Sequence, residues 1–218
     1  MKKSVIIVAT ADETALAREN AALLATAIAE RYRNQGLNVL FLFDSLTRYA
    51  RAIRDLALLN GELPVREGYP PSVYSKLPIL LERTGNNSKG SITAIYTVLT
   101  QQEHVQDALK EEIIGLLDGH IVLDPELAKK QLYPAINIEK SISRCITRLH
   151  NHDYLESVSK IKKIFNTLQD EELLMFGGEA SEELASALKI KPELFNLLYQ
   201  GRNKGLDLEE LKSKLTSF

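Results

Sequence analysis

Three residues in this chain have the chemistry and the setting to handle a phosphate group: Asp44, Arg48 and Arg144. Asp44 ends the apolar run Val39–Phe43 (VLFLF). A carboxylate there stands at the C-terminal edge of a strand, where open α/β sheets bind ligands. In nucleotide hydrolysis such a group holds a magnesium ion, usually through water. As an isolated residue, Asp44 reads first as a cap on the helix that follows. Arg48, four residues on, can turn toward the same site from the first turn of that helix; alone, it reads as one more solvated arginine beside Arg51 and Arg54. Arg144 closes Ser141-Ile-Ser-Arg144. Its planar fork donates two parallel hydrogen bonds to a phosphate and keeps its charge. Supplied across a subunit boundary it would act on developing phosphoryl charge; alone, it reads as half of a surface ion pair.

Other chemistries find little support. His150 and His152 are two apart, which on a helix sends them to different faces. His104 and His120 have no partners at metal-ligand spacing, so no zinc site is expected. Cys145 has no histidine near it in sequence to activate it and reads as structural. A phosphate-cradling G-x-x-x-x-G-K-[ST] loop does not occur in the chain; Asn87-Ser88-Lys89-Gly90 has the wrong order. If this fold binds ATP, the main grip on the phosphates is expected from outside these residues.

Composition narrows the class. The 218 residues carry 27 Lys+Arg against 29 Asp+Glu, a formal net charge of −2, with 44% hydrophobic and 26% charged residues. These values are near the globular average and exclude collagen-like, disordered and coiled-coil chains. The charge balance offers no basis for a nucleic-acid coat or a polybasic membrane anchor. No apolar run approaches the ~20 residues that span a bilayer, and Asp12 and Glu13 follow the first apolar run where a signal peptide would need a small-residue cleavage site. A single cysteine fits a reducing compartment. The expected product is a soluble cytoplasmic chain of one full domain and a small second one.

The elements that must position these residues can be read from periodicity. Ser4–Ala9 (SVIIVA) predicts a strand covered on both faces. Asp12 then caps a long helix that carries Leu16, Leu23, Leu24, Ala27, Ile28 and Tyr32 on one face and closes at Gly36. With Val39–Phe43 as a second strand, this predicts a right-handed βαβ unit. The segment from Ser45 to Leu59 reads as a helix ending near Asn60-Gly61, and Ser72 as the cap of another running to about Arg83. Ser91–Leu99 predicts a third strand, Val105–Leu117 a helix, Gly119–Leu123 a fourth strand, and Asp124-Pro125 the start of a short helix. From about residue 151 no β-rich run remains: one amphipathic helix carries Tyr154, Leu155, Val158, Ile161, Phe165 and Leu168, Gly177-Gly178 breaks the chain, and three shorter helical patterns follow. The predicted organisation is an α/β part, residues 1–150, and a helical tail, 151–218.

Taken together, VLFLFDSLTRYARA (39–52), EGYPPSVY (67–74), LLERTG (80–85), KGSITAIYTV (89–98), DGHIVL (118–123) and YPAINIEKSISR (133–144) resemble the export ATPases of flagella and type III secretion systems. That family is similar in turn to the catalytic subunits of rotary ATP synthases. The tail matches it only loosely. The resemblance implies an α/β fold: a partial RecA-like parallel-sheet core (1–150, Walker B to arginine finger) and a small C-terminal helical bundle, assembled as a homo-hexamer that uses ATP and Mg2+. It implies Asp44 as the Walker B aspartate positioning Mg2+-bound water, Arg48 near the phosphates, Arg144 as the arginine finger reaching a neighbouring subunit, and Tyr133 packing against adenine. It further implies that the Gly68–Tyr74 loop faces a central stalk protein, that a regulatory stator-like protein binds the ring, and that the tail meets export chaperone–substrate complexes at the export gate on the inner membrane. In the family, the P-loop and catalytic glutamate precede the segment that begins here at Ser4, so this chain alone is expected to bind ATP poorly and to hydrolyse it negligibly.

Two other readings differ in class. One is a non-catalytic ring or docking module of the same apparatus, lending Arg144 to a neighbour. The other is an RNA-translocating hexamer, since the terminator Rho has a similar DS-x-TR-x-AR segment; the acidic balance, GYPPSVY and LLERTG argue against it, and no nucleic-acid partner is expected.

Overall fold

The structure is a computed structural model that describes residues 4–100, 107–174, 182–201, 205 and 207–216. Contacts group the chain into two compact units, Met1–Leu117 and Asp118–Phe218. This contact boundary differs from the compositional one at 150/151, which marks where strands give way to helices: among the described residues no strand follows Ser143.

The first unit is built from α1 (Ala15–Asn34), β1 (Asn38–Phe43), α2 (Leu46–Leu59), α3 (Pro71–Leu81), β2 (Gly85–Asn86), β3 (Ser91–Tyr96) and α4 (Ala108–Leu116). Thr14, not Asp12, caps α1: its backbone is extended and its hydroxyl accepts from the Ala17 amide at 3.1 Å. Arg31 and Arg33 complement the negative end of the helix, and Gly36 takes the left-handed turn (φ +87°) that stops it. β1 and β3 pair in parallel, Asn38 to Phe43 against Ser91 to Tyr96, and the short β2 runs antiparallel on the outer edge of β3. The continuous apolar run of β1 is covered on one face only: Val39, Phe41 and Phe43 are half-buried while Leu40 and Leu42 are exposed.

Ser4–Ala9 is not a strand. No strand ladder among the described residues includes it, and Val5, Ile6 and Val8 are exposed. β-branched side chains favour an extended backbone, but a strand exists only where a neighbour completes its hydrogen bonds. The expected βαβ unit is therefore absent, and the parallel pair is joined instead through α2, α3 and β2.

Helix α2 buries Leu46, Tyr49, Ala50, Ile53 and Ala57, spaced to form one stripe. It packs on α1 and α3. α3 starts with Pro70 extended and Pro71 at the first helical position, where proline has no amide to lose. Ser72, expected as the cap, lies inside the first turn. Glu62 from the preceding loop takes the capping role, accepting from the Ser72 amide at 3.2 Å and from its hydroxyl. The core sits where α2, α3 and α4 meet, with Leu46, Ile53, Val73, Leu77, Leu80 and Ile113 fully buried. At its rim Arg83 holds Glu30 through two hydrogen bonds, 3.1 and 2.6 Å, tying the end of α3 to α1.

The second unit comprises β4 (Gly119–Leu123), α5 (Pro125–Lys129), β5 (Ile136–Ser143), α6 (Ile146–Leu149), α7 (His152–Leu174), α8 (Glu182–Leu198) and α9 (Leu208–Leu215). Asp124 caps α5 as expected, accepting from the Glu126 amide at 2.9 Å. β4 does not extend the parallel sheet; it pairs antiparallel with β5. Strand β5 is not read from the sequence: Ile136, Ile138 and Ile142 alternate with polar residues, but Lys140 takes the apolar place between them. α7 packs on β5, α8 and α9, burying Ile161 and Leu168, with Phe165 stacked on Phe195 at 6.1 Å. Two helices follow α7 among the described residues, and Gly177-Gly178 lies outside them. No helix among the described residues is long and apolar enough to cross a membrane.

Two outcomes test this packing. Leu77→Ala, which opens a cavity in a fully buried site, should cost about 2–5 kcal/mol in the first unit, measured by denaturant unfolding of the 218-residue chain. Arg83 holds the Glu30 carboxyl below its usual range, chiefly through its hydrogen bonds. A carboxylate depressed in the folded state contributes stability above its unfolded pKa of about 4.3 and loses it as pH falls through the lower folded value. Glu30→Gln should therefore destabilise by up to about 1 kcal/mol at pH 7, and the gap to wild type should close below about pH 4 in the same unfolding assay.

Candidate functional site

Parallel pairing delivers the site. Because Phe43 lies opposite Tyr96, Asp44 and Thr97 leave the sheet side by side at its C-terminal edge. The Thr97 hydroxyl donates to Asp44 Oδ1 at 2.8 Å, and the Thr97 amide donates to the Phe43 carbonyl at 3.0 Å. A cis peptide joins Asp44 to Ser45, and Ser45 caps α2 by accepting from the Arg48 amide at 3.3 Å. The start of α2 is stitched to the strand end as well: the Leu46 amide donates to the Thr97 carbonyl at 2.9 Å, and the Leu99 amide to Thr47 Oγ1 at 2.8 Å. The cap reading of this turn thus belongs to Ser45, and the Asp44 carboxylate is left exposed with one oxygen engaged.

A cleft of about 430 Å3 opens at this edge. Its walls are the segment 7–11, the Ala21, Ala22 and Ala25 side of α1, the end of β1 from Phe41, and the first turns of α2. Small alanines leave the space. Its charged lining is one carboxylate, Asp44, and three guanidinium groups from Arg18, Arg48 and Arg51. That excess of positive charge suits a polyanion. Arg18 also lies 3.6 Å from Asp55. Tyr49 closes the floor; burial pushes its phenol up to about 12, so it stays protonated and cannot serve as a base at neutral pH.

The remaining expected site residues belong to the second unit. Tyr133 is 44% exposed, precedes Pro134 through a cis peptide, and its carbonyl accepts from the Gln200 amide at 2.7 Å. Arg144 is exposed where β5 ends, and its amide donates to the Asp118 carbonyl at 2.8 Å. The structure thus brings Asp44 and Arg48 to one cleft and sets Tyr133 and Arg144 on the β4–β5 unit. Sequence reasoning missed Thr97 and Arg18, and treated Arg51 as solvated. Aligning the ends of the second and third apolar runs would have found Thr97. Arg18 comes to the cleft through helix packing, which leaves no local signal.

The donor set at Asp44 bears on magnesium. Among the described residues no three His, Cys, Asp or Glu side chains gather to hold a metal ion. A single carboxylate with a free oxygen is what Mg2+ uses when phosphate and water complete its shell, so the residues present fit that ion and do not suit a protein-caged one.

Comparison with known proteins shows the family of the chain. Residues 1–143 match the nucleotide-binding domain of the ATP synthase alpha/beta family. The flagellum-specific ATP synthase of Bacillus subtilis is 43% identical over 221 residues, covering all of this chain and 50% of the relative. The SPI-1 type 3 secretion system ATPase of Salmonella typhi is 46% identical over 178 residues, 82% of this chain and 41% of the relative. Among solved structures, the assembled ATPase EscN of the enteropathogenic E. coli type III secretion system superposes with a TM-score of 0.90 at 43% identity, over 96% of this chain and 52% of EscN. EscN has also been solved in complex with its central stalk EscO, and superposes there with a TM-score of 0.86. The chain spans about half the length of the curated relatives it matches. With its parallel strand pair, edge aspartate and arginine-lined cleft, the chain belongs to the ATP synthase alpha/beta family, next to its flagellar and type III secretion ATPases.

Proposed function

We propose that this chain supplies the metal-positioning and neighbour-sensing part of an ATP-hydrolysing export ATPase, a homo-hexamer that energises release and unfolding of substrates for flagellar or type III secretion. The observation that carries the reading is Asp44, exposed at the C-terminal edge of β1, oriented by Thr97 and flanked by Arg18, Arg48 and Arg51 in one cleft. Mg2+ and ATP, when bound, would bring the phosphoryl group and most of the metal's ligands.

The chain's own residues have separable tasks. Asp44, with Oδ1 held by Thr97, presents its other oxygen to a metal-bound water. Arg48 offsets phosphate charge from the first turn of α2. Tyr133 offers an aromatic face to adenine. Arg144 meets developing charge on the phosphoryl group of a neighbouring subunit. Partners follow from the same reading: a central stalk against the Gly68–Tyr74 loop, a stator-like regulator, and chaperone–substrate complexes at an export gate, with the ring on the cytoplasmic side of the inner membrane. The B. subtilis and EscN relatives support it, as does the fit of the cleft to a polyanion.

Two substitutions in the assembled ATPase test the roles. Asp44→Asn should raise the Mg2+ concentration for half-maximal turnover by roughly tenfold or more; an unchanged Mg2+ profile would remove Asp44 from the metal site. Arg144→Ala should lower turnover by roughly 10³-fold with assembly intact; wild-type turnover would instead make the chain a docking module in its ring.

A further inference from the structure

We infer that Ser141 and Asn137 are positioning residues for Arg144, pinning a bulge in β5 that sets where the strand delivers that arginine. The inference rests on the reading of Arg144 as the residue that acts on a neighbouring site.

The register shows the bulge. Val122 pairs with Asn137 and His120 with Ile142, so Ile121 alone faces four residues of β5, Ile138 to Ser141. Such a surplus interrupts the ladder and leaves backbone groups without strand partners. Here side chains replace them. The Ser141 hydroxyl accepts from the Val122 amide on β4 at 3.0 Å and donates to the Asn137 carbonyl at 2.5 Å, so one group closes the gap on both strands. Asn137 is buried and uses both ends of its amide: Nδ2 donates to Asp124 Oδ2 at 2.9 Å, and Oδ1 accepts from the Lys140 amide at 3.0 Å. His120 Nε2 donates to the Lys140 carbonyl at 2.9 Å from the opposite strand.

Arg144 lies directly downstream. Ser143 pairs with Gly119, and the Arg144 amide donates to the Asp118 carbonyl. At Gly119 a Cβ would fall 2.5 Å from the Ile142 carbonyl oxygen, so the two backbones are pressed together just before the arginine. This leaves the bulge as the place where register can be gained or lost. A strand that slips by one residue moves about 3.3 Å and turns each side chain to the other face. An arginine that must meet a phosphate at hydrogen-bond distance does not tolerate that shift.

Two measurements test the inference. In the 218-residue chain, amide hydrogen exchange compares Ser141→Thr, which keeps the hydroxyl, with Ser141→Val, which has threonine's shape without it. The valine variant should exchange at Val122 and Arg144 roughly tenfold or more faster than the threonine variant, with α7 amides unchanged. Equal protection of Arg144 in the two overturns the inference, whatever turnover does. In the assembled ATPase, Ser141→Val should lower kcat about tenfold at unchanged KM for ATP, threonine should restore it, and valine should cost nothing further in an Arg144→Ala background. If Arg144→Ala lowers kcat and Ser141→Val does not, the positioning role fails while the reading of Arg144 stands. If Arg144→Ala keeps full turnover, that reading fails and takes the catalytic consequence with it. If Ser141→Val does not fold, Ser141→Ala, which also lacks the hydroxyl, takes its place against Ser141→Thr, and the Arg144 amide alone decides.

Discussion

The pairing of β1 with β3 is the interaction on which the first unit depends. Six residues of each strand run in parallel register, and that register places Asp44 beside Thr97. The Asp44 end of the cleft inherits its geometry from this. The strand ends share a hydrogen bond, the first turn of α2 is tied back to Thr97 and Leu99, and Asp44 is turned outward beside the first turn of α2. Parallel strands bring their C-terminal ends together with helix N-termini close by, which makes this edge the natural place for an anionic ligand.

The second unit solves a different problem with different means. On the proposed reading Arg144 serves another site and must be exposed, and an exposed arginine on a plain strand is poorly placed. Ahead of Arg144 the β4–β5 pair has a side-chain-pinned bulge followed by a close backbone contact at Gly119. The buried amide of Asn137 and the hydroxyl of Ser141 do what ladder hydrogen bonds do elsewhere. Asp124 links this device to α5, since one carboxylate oxygen accepts from Asn137 and the other from the Glu126 amide.

Much of this was legible in the sequence, and the misses have physical causes. Val39–Phe43, the α2 segment, Ser91 onward and Gly119–Leu123 were readable because each is a run long enough for its periodicity to show. Asp44 and Arg48 could be paired from spacing, since a strand end and the first helical turn after it are always near one another. Ser4–Ala9 failed as a strand because β-propensity describes a residue's preference and a ladder needs a second strand. Ser72 failed as a cap because Glu62, ten residues earlier, reached the same amide. β5 was missed because Lys140 takes an apolar place in its alternation and leaves Ile136, Ile138 and Ile142 as a broken pattern.

The sequence by itself determined the α/β class, the family, and which residues carry charge suited to phosphate, because these depend on residue type and on short-range spacing. The tertiary structure alone decided that Thr97 orients Asp44, that Arg18 and Arg51 share its cleft, and that Ser141 bridges two strands ahead of Arg144. Those facts depend on strand register and helix packing, which join residues far apart in the chain. Local propensity carries no record of such partners.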